Sequence, residues 1–254
     1  MRHATLRLYG ELNDFLPREH QRMSFHQTFE VSGSVKDLIQ AQGVPHTEID
    51  LILVNGRSVG FDYVVRDGDR IAVYPVFASL DISSLVRLRP EPLRDPRFVL
   101  DVHLGRLATY LRILGIDASF DVGRDDAELA ALSRAQQRIL LTRDRGLLMR
   151  RVVDRGYYVR ATDPPAQIVE IVRRFDLTSS FDPLSRCTRC NTRLHPIPKD
   201  QVVDRLLPRT RETYDTYSLC DTCERVYWQG SHYARMLAFV EWVRQEAESA
   251  MDAM

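Results

Sequence analysis

The chain is poor in several residue types, and each shortage excludes something. Among 254 residues there are only four cysteines and two tryptophans. Lysine occurs at Lys36 and Lys199 alone, so the basic residues are almost all arginine. No stretch approaches the eighteen or more apolar residues of a membrane-spanning helix. The N-terminal Met1-Arg2-His3-Ala4-Thr5-Leu6-Arg7 lacks the continuous apolar segment of a secretory signal. We therefore expect a soluble, cytoplasmic protein with no membrane contact. The formal net charge is zero. Residues 80–180 are mildly basic, well short of the basic stripe of a tight nucleic-acid binder. There is no internal repeat and no low-complexity tract, and the length suffices for two or three cores.

The few cysteines fall into two close pairs, Cys187-x-x-Cys190 and Cys220-x-x-Cys223. A large chain with no export signal is a poor setting for disulfides, whereas paired Cys-x-x-Cys knuckles are the spacing of a tetrahedral S4 zinc site. Four thiolates leave no open coordination position, so this zinc is expected to be structural. Its binding, of order 10–16 kcal/mol in model peptides, would hold together a segment with little core of its own. Redox dithiol chemistry is the alternative reading of the same pairs.

Residues 1–78 read as a small β-rich domain. Ala4, Leu6 and Leu8 alternate with Thr5, Arg7 and Tyr9, as on a half-buried strand. Met23, Phe25, Phe29 and Val31 continue the pattern. Ser34 is placed to cap a short helix carrying Val35, Leu38 and Ile39, ended by Gly43. Leu51–Val54, the turn Asn55-Gly56, the turn Asp67-Gly68-Asp69 and the strand from Arg70 to Val76 follow. Residues 79–97, with Ser83, Ser84, Pro90, Pro92 and Pro96, have linker composition.

Residues 98–180 alternate strand and helix: a strand at Phe98–Leu100, a helix through Leu104, Leu107, Leu111 and Leu114, a strand at Ile116–Phe120, and a helix through Leu129 and Leu132. A strand at Arg138–Thr142, a helix over Gly146–Asp154, a short strand at Tyr157–Arg160 and a helix opened by Pro164-Pro165 complete the set. This order implies a parallel sheet flanked by helices. Residues 181–254 hold the cysteines and then an amphipathic helix with Tyr233, Leu237, Val240 and Val243.

Parallel sheets bind ligands beyond the carboxyl ends of their strands. Asp101 ends the first strand, Asp144 follows the third, and Asp125 and Asp126 open the helix after the second. Carboxylates gathered there repel: two charges about 4 Å apart cost about 4 kcal/mol at an effective dielectric near 20. They must protonate, separate or bind a cation, and oxygen-only ligands favour Mg²⁺ or Mn²⁺. Glu128 and Asp163 are further candidate acids. Asp101, Asp125 or Asp126, Asp144 and Asp163 could each equally serve as a helix cap. Arg106, Arg143 and Arg145 stand beside the acids, suited to phosphates or to ion pairs. His103 is read as a helix-start histidine.

The strings Phe98-Val99-Leu100-Asp101-Val102-His103-Leu104-Gly105-Arg106-Leu107-Ala108, Asp125-Asp126-Ala127-Glu128-Leu129 and Leu140-Leu141-Thr142-Arg143-Asp144-Arg145-Gly146-Leu147 resemble the Mut-seven carboxy-terminal RNase family, a PIN-like group. That resemblance implies an N-terminal ubiquitin-like β-grasp domain, a PIN-like nuclease sheet and a C-terminal zinc ribbon. It also implies metal-dependent cleavage of RNA, with Asp101, Asp126 and Asp144 as the catalytic acids. Which of Asp125 and Asp126 is the ligand stays open, as does a fourth ligand at Asp163.

The first domain also resembles the small sulfur carriers of thiamin and molybdopterin synthesis, through Val54–Val59 and Asp67–Pro75. Those carriers end in Gly-Gly, whereas Pro75-Val76-Phe77-Ala78 continues into more protein. A docking or structural role, with a possible protein partner, is expected of it instead. In the ribbon, Arg186, Arg189, Arg193, Arg205, Arg209 and Arg211, with Tyr214, Tyr217 and Tyr227, are candidate RNA contacts or packing residues. Trp228 is expected to pack. The alternative to a nuclease is a non-catalytic RNA- or ribosome-associated adaptor in which the acids are caps and the ribbon and β-grasp do the binding.

Overall fold

A computed structural model describes residues 1–76, 85, 88, 93 and 95–249. Most of the linker expected over 79–97, including Ser83, Ser84, Pro90 and Pro92, lies outside the described residues, as do Phe77 and Ala78. In chain order the regular elements begin with β1 (Arg2–Leu8), β2 (Phe25–Phe29), α1 (Val35–Gln40), β3 (Ile49–Val54), β4 (Arg57–Ser58) and β5 (Arg70–Pro75). Next come β6 (Phe98–Leu100), α2 (Gly105–Ile113), β7 (Ala118–Phe120), α3 (Asp126–Ala135), β8 (Ile139–Thr142), α4 (Arg145–Met149), β9 (Gly156–Tyr158) and α5 (Pro164–Phe175). The last are β10 (His195–Ile197), α6 (Pro208–Thr213), β11 (Tyr217–Leu219), β12 (Val226–Trp228) and α7 (Ser231–Ser249). The chain forms two compact units. One comprises Met1–Leu93 with Asp126–Tyr158, the other Arg94–Asp125 with Val159–Met254.

The first unit holds a five-stranded sheet in the order β2-β1-β5-β3-β4. Its central pair, β1 and β5, is parallel, and the outer pairs are antiparallel, which is the β-grasp arrangement. The period-2 pattern explains it: Ala4, Leu6 and Leu8 are buried, as are Ile71 and Val73 on the neighbouring strand. Ser34 caps α1 by accepting from the Asp37 amide at 3.1 Å. Asn55 and Gly56 both have positive φ, 49° and 82°, which is what the two-residue turn joining β3 to β4 requires. The alternation fails at the ends of β2: Met23 and Val31 are exposed, because the strand pairs with β1 only over Phe25–Phe29.

Segment Asp126–Tyr158 belongs to this same unit. Its strands β8 and β9 are parallel, with Leu140 opposite Gly156 and Thr142 opposite Tyr158. The chain turn before β3 meets it. His46 Nε2 lies 2.9 Å from the Val153 carbonyl. The Gln40 amide donates to the Met149 carbonyl at 3.3 Å. Glu48, fully buried, accepts from the Tyr158 amide at 2.7 Å. Phe15 and Tyr158 meet edge to face at 5.3 Å, and Tyr158 packs against the β-grasp core. The helix expected over Gly146–Asp154 is shorter, because Arg150 leaves helical geometry at ψ 131° and closes α4.

In the second unit β6 and β7 are parallel, with Phe98 opposite Ala118 and Leu100 opposite Phe120, and α2 makes the crossover between them. Two glycines are dictated by this packing. Gly105 opens α2 against Phe120, whose ring would lie 2.8 Å from an added Cβ. Gly115 ends the helix at φ +84°, and a Cβ there would meet the Asp182 carbonyl oxygen at 2.0 Å. Pro164 at the first turn and Asp163 as cap start α5. Phe175 on α5 meets Phe98 at 5.2 Å, and Phe239 on α7 meets Tyr110 on α2 at 4.6 Å. The antiparallel sheet β10-β11-β12 carries a small core of Val202, Leu206 and Tyr217. On α7 the expected Val240 and Val243 are buried, while Leu237 is exposed. The architecture is thus parallel α/β with flanking helices, preceded by a β-grasp sheet and followed by a four-cysteine segment that fits a zinc ribbon.

Candidate active site and metal centre

The four cysteines converge. None is in a disulfide, and their Sγ atoms all lie within 4.8 Å of one another. Cys187 and Cys223 are 3.5 Å apart and Cys190 and Cys220 3.3 Å, close to the S–S edge of about 3.8 Å that a tetrahedron with Zn–S near 2.3 Å would have. Two local structures of the same design bring them there. In each knuckle the residue after the second cysteine is left-handed, Asn191 at φ 71° and Glu224 at φ 57°. Its amide returns to the carbonyl of the first cysteine, Asn191 to Cys187 at 2.9 Å and Glu224 to Cys220 at 2.8 Å. The chemistry of the donors and their spacing fit zinc.

The thiols differ in acidity. Burial pushes Cys187 up, but the Tyr227 hydroxyl and the amides of Cys190 and Arg189 outweigh it and bring the group down to about 6. Burial pushes Cys220 up to about 12 and Cys223 in the same direction. Because a metal binds thiolates, it must displace the protons these groups retain, and affinity for it rises with pH.

The first knuckle is fastened to α2 and β7. Arg112, only 3% exposed, donates from Nε to the Ala118 carbonyl at 2.9 Å and from Nη1 to the carbonyls of Thr188 at 3.1 Å and Arg189 at 2.7 Å. Burial lowers its pKa, with Cys187 and Cys190 opposing. Asn191 accepts from the Ala118 amide at 3.0 Å and donates to Asp117 at 2.7 Å. Arg186 donates to the Gly115 and Asn191 carbonyls, both at 3.0 Å. The four-cysteine cluster and the α/β strands of this unit are therefore one hydrogen-bonded body. Arg112 and Asn191 were not among the residues that motif reading singled out. The signal for Arg112 was an arginine on the apolar face of a helix, between Leu111 and Ile113.

The acids take the following places. Asp101 directly follows β6 and is buried, with 6% exposed. Its carbonyl accepts from the Leu104 amide at 2.9 Å. Asp125 is exposed just before α3, Asp126 is the first residue of that helix, and Glu128 is exposed in its first turn. Asp126 pairs with Arg150 at 3.6 Å. Asp144 lies two residues past β8, exposed, and caps α4 by accepting from the amides of Gly146 at 2.7 Å and Leu147 at 3.2 Å. The Thr142 hydroxyl, 2.9 Å from the Asp144 amide, holds this turn. Asp163 caps α5 through the Ala166 amide at 3.4 Å. Among the described residues, the group of three or more His, Cys, Asp or Glu side chains with ligating atoms this close is the four cysteines.

Of the arginines beside the acids, Arg106 is exposed and Arg143 lies over the Tyr158 ring at 5.9 Å. Arg145 turns to the β-grasp domain, where Nη1 donates to the Phe15 carbonyl at 3.0 Å and the guanidinium lies 5.0 Å from the Phe15 ring. His103 is exposed at the helix start. In the ribbon Tyr217 is core and Tyr227 contacts Cys187 at 3.1 Å. Tyr214 packs against the ribbon core. Arg193 pairs with Asp182 at 3.3 Å. Arg189, Arg205, Arg209 and Arg211 are exposed. Trp228 departs from the packing expected of it and is 38% exposed, at the edge-strand end of the ribbon sheet.

Parallel βαβ units with acids at strand ends, joined to a four-cysteine ribbon, describe a nuclease-like α/β domain. The Mut7-C RNAse domain model matches residues 96–240, and the Mut7-C ubiquitin model matches residues 1–81. The chain belongs to the Mut7-C RNase family. No curated protein and no solved structure matches it. Among the described residues, no helix is long and apolar enough to cross a membrane.

Proposed function

We propose that the protein is a metal-dependent ribonuclease. The observation that carries this reading is the family match over residues 96–240, which includes every acid considered above. Asp101, Asp126 and Asp144 would hold Mg²⁺ or Mn²⁺, with Asp125, Glu128 and Asp163 as further candidate acids. A bound divalent ion supplies Lewis acidity and a water of lowered pKa for hydrolysis of a phosphodiester. The chain's own part is positional. Burial of Asp101 and the hydrogen-bonded turn at Asp144 limit the rotamers of both carboxylates, which lowers the entropy lost on coordination. Arg106 and Arg143 are the guanidinium groups we assign to the RNA backbone, whose phosphates they suit by charge and fork geometry. Arg145 is assigned there too, although its contact with Phe15 must then be shared or broken. The four cysteines bind a structural zinc, which has no role in the hydrolysis. We propose the cytoplasm as the compartment in which it acts.

The test exploits the double use of Asp144. Asparagine caps helices about as well as aspartate does, so Asp144→Asn retains the cap on α4 while removing a charged ligand. Loss of a partner one layer behind a metal ligand already costs about 10–100-fold. We expect Asp144→Asn to lower Mn²⁺-dependent cleavage of a labelled RNA at least about 100-fold with the melting temperature unchanged. Wild-type cleavage by the variant removes Asp144 from the site. A second reading is favoured by the caps at Asp144 and Asp163 themselves: an RNA-binding adaptor in which these acids serve only the fold. Wild-type protein that binds RNA and cleaves nothing with Mn²⁺ or Mg²⁺ decides for it.

A further inference from the structure

The outer face of the β-grasp sheet has no part in the chemistry proposed above, yet it has the features of a ligand surface. Strand alternation buries Leu6, Leu8, Ile71 and Val73 and turns Thr5, Arg7, Arg70, Ala72 and Tyr74 outward. Tyr9, just past β1, stacks on Tyr74 with ring centroids 4.4 Å apart and planes 7° from parallel. The Arg7 guanidinium lies over the Tyr9 ring at 5.1 Å. An arginine and two tyrosines thus form a column of flat groups on the sheet. Beside it is an open depression of about 550 Å³ whose walls include Arg7, Tyr9, Arg70, Thr5 and Ser24 and no carboxylate. Two acids of the same domain are engaged elsewhere. Asp69 is buried and accepts from Asn55, Tyr63 and the Arg66 amide, and Asp67 faces His3 at 3.2 Å.

We propose that this face binds single-stranded RNA, with Arg7 and Arg70 on phosphates and a base stacked on the Arg7–Tyr9–Tyr74 column. Arg7 stands opposite Ala72 and Arg70 opposite Thr5, so the two arginines are on adjacent strands, two residues apart along them. That offset places their Cα atoms about 8 Å apart, within reach of neighbouring phosphates for side chains of this length. Exposed arginine paired with stacked aromatics on a sheet is the combination that holds unpaired nucleotides without reading their sequence. An acidic peptide would use the arginines and leave the ring column idle. The choice of polymer rests on the ribonuclease-family reading; the surface itself does not depend on that reading.

The experiment uses the full chain, a 5′-fluorescent 12-nucleotide uridine-rich RNA and buffer without added Mg²⁺ or Mn²⁺. Anisotropy titrations compare wild type, R7A/R70A and Y9A over a range of salt. We expect R7A/R70A to weaken binding tenfold or more and to reduce the log–log salt slope by about 1.4, which is two single-strand phosphates. Y9A should weaken binding about tenfold with little change in slope. All three proteins should melt alike, since the exposed arginines and Tyr9 carry little of the core. Cleavage with Mn²⁺ separates the two proposals. Wild type that binds RNA through this face but cleaves none upholds the platform and rejects the ribonuclease. Variants that bind and cleave as wild type does overturn the platform and leave the ribonuclease standing. Wild type that ignores RNA yet captures an acidic peptide in an Arg7-dependent way overturns it in favour of a protein ligand.

Discussion

Cys220→Ser is expected to release the zinc and unfold the ribbon. Cys220 is fully buried at the meeting point of the two knuckles, and serine is too poor a ligand to complete an S4 site. Zinc binding in small ribbons and fingers is of order 10–16 kcal/mol, far more than the core of Val202, Leu206 and Tyr217 supplies. The damage should spread. With the first knuckle disordered, Arg112 loses the carbonyls of Thr188 and Arg189 and is left as a buried charge on α2, a situation that typically costs several kcal/mol. Elemental analysis should give one zinc per wild-type chain and none in the variant. Amide exchange should accelerate over residues 186–228 first, then along α2 and β7. A variant that keeps wild-type exchange after losing its metal would show that the ribbon does not depend on zinc.

Glu48→Ala should be the most damaging single change in the N-terminal unit that leaves its apolar core intact. Glu48 is buried completely and accepts the Tyr158 amide, which tethers β9 to the β-grasp domain. Removing the carboxylate takes this acceptor from the half-buried Tyr158 amide, at about 1–3 kcal/mol, and truncating a fully buried side chain adds a cavity cost. We expect the melting temperature to fall by roughly 5–15 °C, with faster exchange at Tyr158 and in β8. Glu48→Gln keeps an acceptor oxygen in the same place and should recover most of the loss. An alanine variant as stable as wild type would mean that the β-grasp domain and segment 126–158 do not support one another.

That coupling is the part of the fold least visible in the amino-acid order. Regular alternation and punctuation carried the local structure: Ala4-x-Leu6-x-Leu8 gave a strand, Ser34 a helix start, Asn55-Gly56 a hairpin, Gly115 and Pro164 a stop and a start. Each is a short-range rule of sterics or capping, so each is readable within a few residues. The four cysteines were legible for a different reason, because thiolate chemistry restricts their use so narrowly. What depends on distant partners was not. His46, Thr47 and Glu48 carry no periodic pattern, yet all three are buried, because segment 126–158 lies against them. Met23, Val31 and Trp228 are apolar in the sequence and exposed in the structure, since nothing local states whether a strand end or a sheet edge will find a cover. The acids occupy an intermediate place. Their positions after strands and before helices follow from the pattern, but a carboxylate at such a position caps a helix and binds a cation by the same lone pairs. Asp144 is seen in the first role, and only chemistry reports on the second.

We propose that Asp101, Asp126 and Asp144 hold a catalytic divalent ion. Crystals of the wild-type protein soaked in Mn²⁺ and measured at the manganese edge test it most directly. An anomalous peak is expected about 2.0–2.4 Å from carboxylate oxygens of these three residues, absent from crystals of Asp144→Asn. A protein that cleaves RNA while its manganese peak lies away from all three carboxylates would contradict it.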